Sequence, residues 1–259
     1  MSRSAKRAGC ESGQAAIESA IVLPLTLFLV LGTLQLFLLQ QSRISAQYAA
    51  YQATRVGSLS HGACKPMLHA ALLTLLPNIH SFLGDQSLSG SPAQRLGAAF
   101  TRIKENNYGG YQWGGWASAG AADEAIVWVF REGRAPVAKD VTGFDQPLSG
   151  GEPFRLEVRM VYWAPLRIPF ADWVYARIAA ARMGILPYTN YDPLVPTKKT
   201  TDWSGGTFTL ESKLAQELRK RLIAGHYVFP ITTSSTMRMM TPPRLSEFVR
   251  QDCQSPGFN

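Results

Sequence analysis

From Ser19 to Leu39 the chain reads SAIVLPLTLFLVLGTLQLFLL, with no charged residue and with Gln35 as its strongly polar position. A helix of about 20 apolar residues crosses the ~30 Å hydrocarbon core of a bilayer, so this stretch predicts a membrane span. A secretory signal peptide has a shorter apolar region, of about 7–15 residues, closed by a small-x-small cleavage site. Here the apolar run passes instead into Gln40, Gln41, Ser42 and Arg43, and then into the helix-compatible residues Ile44 to Leu59. Arg3, Lys6 and Arg7 stand directly before the span, with Arg43 and Arg55 after it. Flanking cations stay on the cytoplasmic side, which keeps the amino terminus cytoplasmic and carries the bulk of the chain across.

Glu18 sits at the cytoplasmic edge of this run, behind the uncharged Gln14, Ala15, Ala16 and Ile17. A carboxylate entering hydrocarbon is costly and usually has a partner, although snorkelling to the headgroups accounts for Glu18 taken alone. Gly13 adds a second constraint, standing five residues before Glu18 with a short basic leader in front. Glycine without a Cβ threads readily into a peptidase active site. The series Gly13, Gln14-Ala15-Ala16-Ile17-Glu18 resembles the type IV prepilin class, in which a prepilin peptidase cuts after a Gly and the fifth mature residue is Glu. More narrowly, about residues 10–60 are similar to TadE-like pseudopilins of tight-adherence (Tad, type IVc) pili, through the small residues, Glu18, the apolar run broken by Pro24 and the Ala-rich continuation.

The resemblance implies cleavage between Gly13 and Gln14, with Glu18 acting in assembly by pairing with the new ammonium of a neighbouring subunit, so that neither charge is buried singly. Pro24, lacking an N–H, is expected to kink or open the helix, or to be an incidental tolerated proline. The implied organisation is a cytoplasmic leader over 1–13, a transmembrane and stalk helix over 14–60 and an extracytoplasmic domain over 61–259, on a single-pass protein of the bacterial inner membrane with a periplasmic domain. The implied function is that of a minor pseudopilin entering, initiating, capping or regulating a thin extracellular pilus. Its implied partners are a prepilin peptidase, other pilin or pseudopilin subunits, the inner-membrane assembly platform and membrane lipid. Two other classes stay open: a single-pass, signal-anchored periplasmic binding module without pilin processing, and a membrane-tethered periplasmic enzyme.

The net charge of +8 comes from scattered Lys and Arg rather than a basic stripe interleaved with aromatics, and nucleic acid is not an expected partner. Removing the leader takes away three cations and one anion and lowers the charge to +6. Cys10, Cys64 and Cys253 are too far apart for a CxxC metal or redox motif. With the leader gone, Cys64 and Cys253 remain as an even pair in an oxidising compartment, where thiols tend to bridge; two separate buried thiols are the alternative. His61, His69, His80 and His226 share no ligand spacing, and no Walker A, HExxH or GxSxG motif occurs. Neither a metal, a cofactor nor a catalytic residue is expected.

Beyond the stalk, helices are predicted from Met67 to Leu76, stopped by Pro77, and from Ala93 to Glu105. Asn106 to Ala122 reads as a glycine-rich loop. Its Tyr108, Tyr111, Trp113 and Trp116 either tuck onto the core or form a contact patch for sugar, peptide or another subunit. Strands are predicted at Ala125–Arg131 and at Phe154–Trp163, the latter with an apolar face opposite Arg155, Glu157 and Arg159. Glu132 to Pro153 reads as a long solvated loop. Phe170–Met183 is a candidate amphipathic helix, packed on the core or lying in a membrane interface. A helix at Leu210–Ala224 and a strand at Tyr227–Met240 complete an expected α+β fold: a long amino-terminal helix joined to helices packed on a small, mainly antiparallel sheet.

Overall fold

A computed structural model of the protein describes residues 12–79, 91–109, 125–142, 154–182, 210–249 and 251–253. Its backbone is dominated by one helix, α1 (Ser12–Leu59, 48 residues), about 72 Å long at 1.5 Å per residue. Helices α2 (Cys64–Ile79) and α3 (Pro92–Gly109) follow, then strand β1 (Val127–Glu132), the short helix α4 (Ala138–Thr142) and strand β2 (Arg155–Pro165). Helix α5 (Ala171–Arg182), helix α6 (Leu210–Ile223), strand β3 (Val228–Arg238) and a 3-10 turn at Leu245–Phe248 complete the α+β fold.

The sheet is antiparallel in the order β1-β2-β3, with Val127 opposite Tyr162 and Tyr162 opposite Ile231. Alternation along the strands sends side chains to two faces. Val129, Leu156, Val158, Met160 and Tyr162 pack with α1, α2 and α3, while Trp128, Phe130, Val161 and Trp163 meet α5 and α6. The first half of β2 has the expected polar face, where Arg159 bonds Glu132 at 3.1 Å. Its second half is buried on both faces, because a second helical layer covers Val161 and Trp163. The end of the chain adds to the sheet: Cys253 N donates to Val129 O at 2.8 Å and Arg131 N to Gln251 O at 2.8 Å.

Three elements differ from the sequence expectation. Helix α2 runs through Pro77 to Ile79: Leu75, Leu76 and Ile79 are buried, and docking of that last turn outweighs the proline's missing bond. Helix α3 continues through Asn106 and Asn107 to Gly109, so these residues belong to the helix and not to the glycine-rich loop expected from Asn106. The Glu132–Pro153 connection holds α4, whose Asp140 is buried and takes a two-pronged bond from Arg134 at 2.6 and 2.7 Å. Val137 N, just before the helix, donates to the same carboxylate at 2.8 Å, the reach-back half of a capping box.

The molecule has two poles along α1. Strand β3 leaves the near pole at Val228, beside Pro165 of β2, and reaches Arg238 at the far one. At the far pole Met240 N and Thr241 N both donate to Ser58 O, at 3.0 and 3.1 Å.

Candidate functional site at the amino-terminal helix

The lower part of α1 presents large apolar side chains outward: Ile21, Leu25, Leu29 and Phe28 are 66%, 65%, 62% and 41% exposed. From Ile17 to Leu59 this is one apolar helix near the amino terminus, long enough to cross a bilayer. Its polar side chains are suited to that setting. Thr26 Oγ1 donates to Val22 O at 3.0 Å and Leu23 O at 2.9 Å, and Thr33 Oγ1 to Val30 O at 2.8 Å. Both threonine hydroxyls are thereby satisfied inside the helix, as hydrocarbon requires.

Gly13 and Gln14 lie in the first turn of α1, Glu18 is exposed one turn further on, and the helix runs on through Pro24. Of the aromatic series, Tyr108 falls in the last turn of α3, while Tyr111, Trp113 and Trp116 lie outside the described residues, as does Cys10. Cys64 and Cys253 are bonded, with S–S 2.08 Å, across a sequence separation of 189.

Higher on α1 the surface changes character. Gly32 and Gln35 begin a stripe continued by Ser42, Ala46, Ala49 and Ala53, with steps of three, four and seven residues that keep it on one face. Gln35 is fully buried, and its Oε1 accepts from Arg167 N at 3.2 Å and Ile168 N at 3.0 Å. Tyr175 of α5 donates its hydroxyl to Gly32 O at 3.3 Å. Above this junction the alanines let α1 lie close on the sheet, and Thr233 Oγ1 donates to Ala46 O at 3.4 Å. Gly57 lets α1 approach both α2 and the sheet, since a Cβ there would stand 2.7 Å from Met67 Cγ and 2.8 Å from Leu156 Cδ2.

The far pole closes the helix end. Gly62, with φ +81, adopts a left-handed turn, and a Cβ on it would collide with the Phe248 ring. Arg131 is 1% exposed, donates from Nη1 to Gly62 O at 2.9 Å and stacks 4.6 Å from the Phe248 ring centre. Burial pulls its pKa down to about 10, with Glu247 and Asp252 opposing that shift, so it remains a cation at neutral pH. His69 of α2 is lowered by burial first, then by Lys104 and Lys65, and meets Phe100 edge-on at 5.8 Å. Among the described residues no group of three His, Cys, Asp or Glu is arranged to hold a metal ion.

The junction was not foreseen. Gln35 stood out in the sequence as the polar residue of an apolar span, and its spacing from Ser42, Ala46 and Ala49 was the available sign that it faced protein. The arrangement supports anchoring and lateral packing: a long apolar rod rigidly continued into a folded domain.

No curated protein and no solved structure matches the chain. The family model described as TadE-like protein matches residues 13–55, which takes in the exposed apolar half of α1, the Gln35 junction and the alanine stripe. Over that segment the chain is similar to TadE-like proteins.

Proposed function

We propose that the protein is a minor pseudopilin of a Tad-type pilus or a related secretion machine, with a structural rather than catalytic role. The observation that carries this reading is the coincidence of the TadE-like match, residues 13–55, with a helix whose lower half is apolar and uncovered. Such a surface is solvated either by lipid tails or by the same helix of a neighbouring subunit, and transfer from one to the other is what assembly from a membrane requires. Gly13 and Gln14 are the cleavage residues of this reading, and Glu18 the assembly residue. Lipid, a prepilin peptidase, other subunits and an inner-membrane platform are its partners. The domain beyond α1 then lies on the periplasmic side.

The test is the amino-terminal sequence of the protein recovered from bacterial membranes with and without a co-expressed prepilin peptidase. A terminus at Gln14 that depends on the peptidase is the expected result. An intact Met1 or Ser2 in both samples overturns it and leaves a signal-anchored extracytoplasmic domain.

A further inference from the structure

We propose that the start of α5 and the turn leading into it form a membrane-docking surface, seated at the boundary between headgroups and acyl chains of the leaflet that α1 crosses on its way into the domain. The proposal rests on α1 being a membrane span, and it adds that the domain is not held clear of the bilayer on a stalk.

The first argument is one of level. With Glu18 at one edge of the hydrocarbon, the other edge falls about 20 residues later, near Leu38. Gly32 and Gln35 then lie about 5–9 Å inside that edge, at 1.5 Å per residue. These are nonetheless the residues that Tyr175 and the backbone of Arg167 and Ile168 bond, and both are buried. At the same height the other sides of α1 are open, with Leu34 50% and Phe37 69% exposed. A domain clear of the membrane would first touch α1 above Leu39. This one reaches down beside the span.

The second argument is the chemistry of the surface brought to that level. Helix α5 packs on the domain through Ala171, Ala176, Ala179 and Ala180, all buried, and leaves Trp173 50% and Ile178 46% exposed. Phe170, in the turn before it, is 72% exposed and held at φ +69. A bulky residue in that region of backbone space is strained, and packing within the protein does not repay the strain. The Arg177 guanidinium lies 5.6 Å from the Trp173 ring centre. Tryptophan beside arginine, with a second apolar ring at Phe170, is the pattern of membrane–water interfaces: the ring enters the acyl boundary while the cation meets anionic headgroups. The Asp172 carboxylate, whose Oδ1 accepts from Trp173 N at 2.7 Å, is an opposing charge at this surface, so the docking rests on the apolar side chains with Arg177 as the counterweight.

Nitroxide labels at single introduced cysteines test the proposal in the full chain carrying Cys10→Ser, with Cys64 and Cys253 retained, in phosphatidylethanolamine–phosphatidylglycerol vesicles. Labels go on Trp173→Cys, on Ile178→Cys so that one variant keeps Trp173, on Phe28→Cys within the span, and on Leu245→Cys at the far pole. Power saturation with oxygen and with an aqueous nickel chelate reads depth. Expected are a deep label at 28, an aqueous label at 245, and labels at 173 and 178 about 5–10 Å below the phosphates. Nickel access at 173 and 178 equal to that at 245, with 28 deep, overturns the docking surface and leaves the span intact. An aqueous label at 28 overturns both. Protection of 173 and 178 from oxygen and nickel alike means that protein covers the face, and also overturns it.

Discussion

Between Ile17 and Val30, α1 turns Ile, Leu, Val and Phe side chains outward, whereas between Ala46 and Ala53 the same helix buries four alanines completely. The backbone is equivalent in the two regions; the solvent is not. Large apolar side chains suit surroundings that are fluid and apolar, because lipid tails conform to any shape. Small ones suit a fixed neighbour, because they let two backbones approach and leave few voids. Gln35 marks the change: below it the large apolar side chains of the helix are left uncovered, and above it the helix forms one wall of the domain core.

If the lower half serves assembly alone, Glu18→Leu is expected to abolish incorporation into the assembled machine, while the domain's thermal midpoint in detergent stays at the wild-type value. A stability change of the same size as the assembly defect would erase the distinction between the halves. The domain's dependence on its own cross-link comes next. Cys64→Ser with Cys253→Ser removes the closure of a 189-residue separation at the far pole and is expected to cost about 2–5 kcal/mol, read by denaturant unfolding followed through tryptophan fluorescence. Paired substitutions then sharpen the contrast within one helix. Ala50→Leu overpacks a fully buried site and is expected to cost about 1–3 kcal/mol. Leu25→Ala, on the uncovered half, is expected to leave domain stability unchanged.

At the boundary, Gln35→Leu removes the acceptor of two backbone donors, with an expected cost of about 1–3 kcal/mol and faster amide exchange at Arg167 and Ile168. The smallest effect concerns Asp140, whose carboxyl is held below its ordinary value of 3.8, chiefly by the Arg134 hydrogen bond and then by Val137 N against the cost of burial. A depressed folded pKa means that the contribution is present above the ordinary carboxyl value and is lost as the pH falls through the folded one. Because Arg134 is half exposed, the contribution is at most about 1 kcal/mol. Asp140→Asn is expected to remove that part of the acid sensitivity, measured as the slope of stability against pH below 3.8.

Much of this was legible from local pattern. The apolar run from Ser19 to Leu39, the helical continuation to Leu59 and the alternation from Phe154 to Met160 carry their periodicity in contiguous residues, and the corresponding elements stand. The errors occurred where a local rule met a distant partner. Pro77 was read as a stop, yet Leu75, Leu76 and Ile79 dock and carry the helix through it. Asp140 was read as solvated because its partner Arg134 has no recognisable spacing from it in a loop. Helix α5 was read as a choice between core and interface, and its residues divide: alanines face the domain, while Trp173 and Ile178 do not.

What the sequence determined by itself is a helix long and apolar enough to cross a bilayer: that capacity is set by consecutive residues, and the Gly13–Glu18 spacing and the TadE-like match are likewise contained within one helix. What only the tertiary structure decided is how low on that helix the domain begins. Side-chain periodicity places Gln35 on a face but does not name what covers it. The answer comes from the Arg167 and Ile168 amides and the Tyr175 hydroxyl, more than 130 residues away, brought there by a sheet whose strands must first find one another.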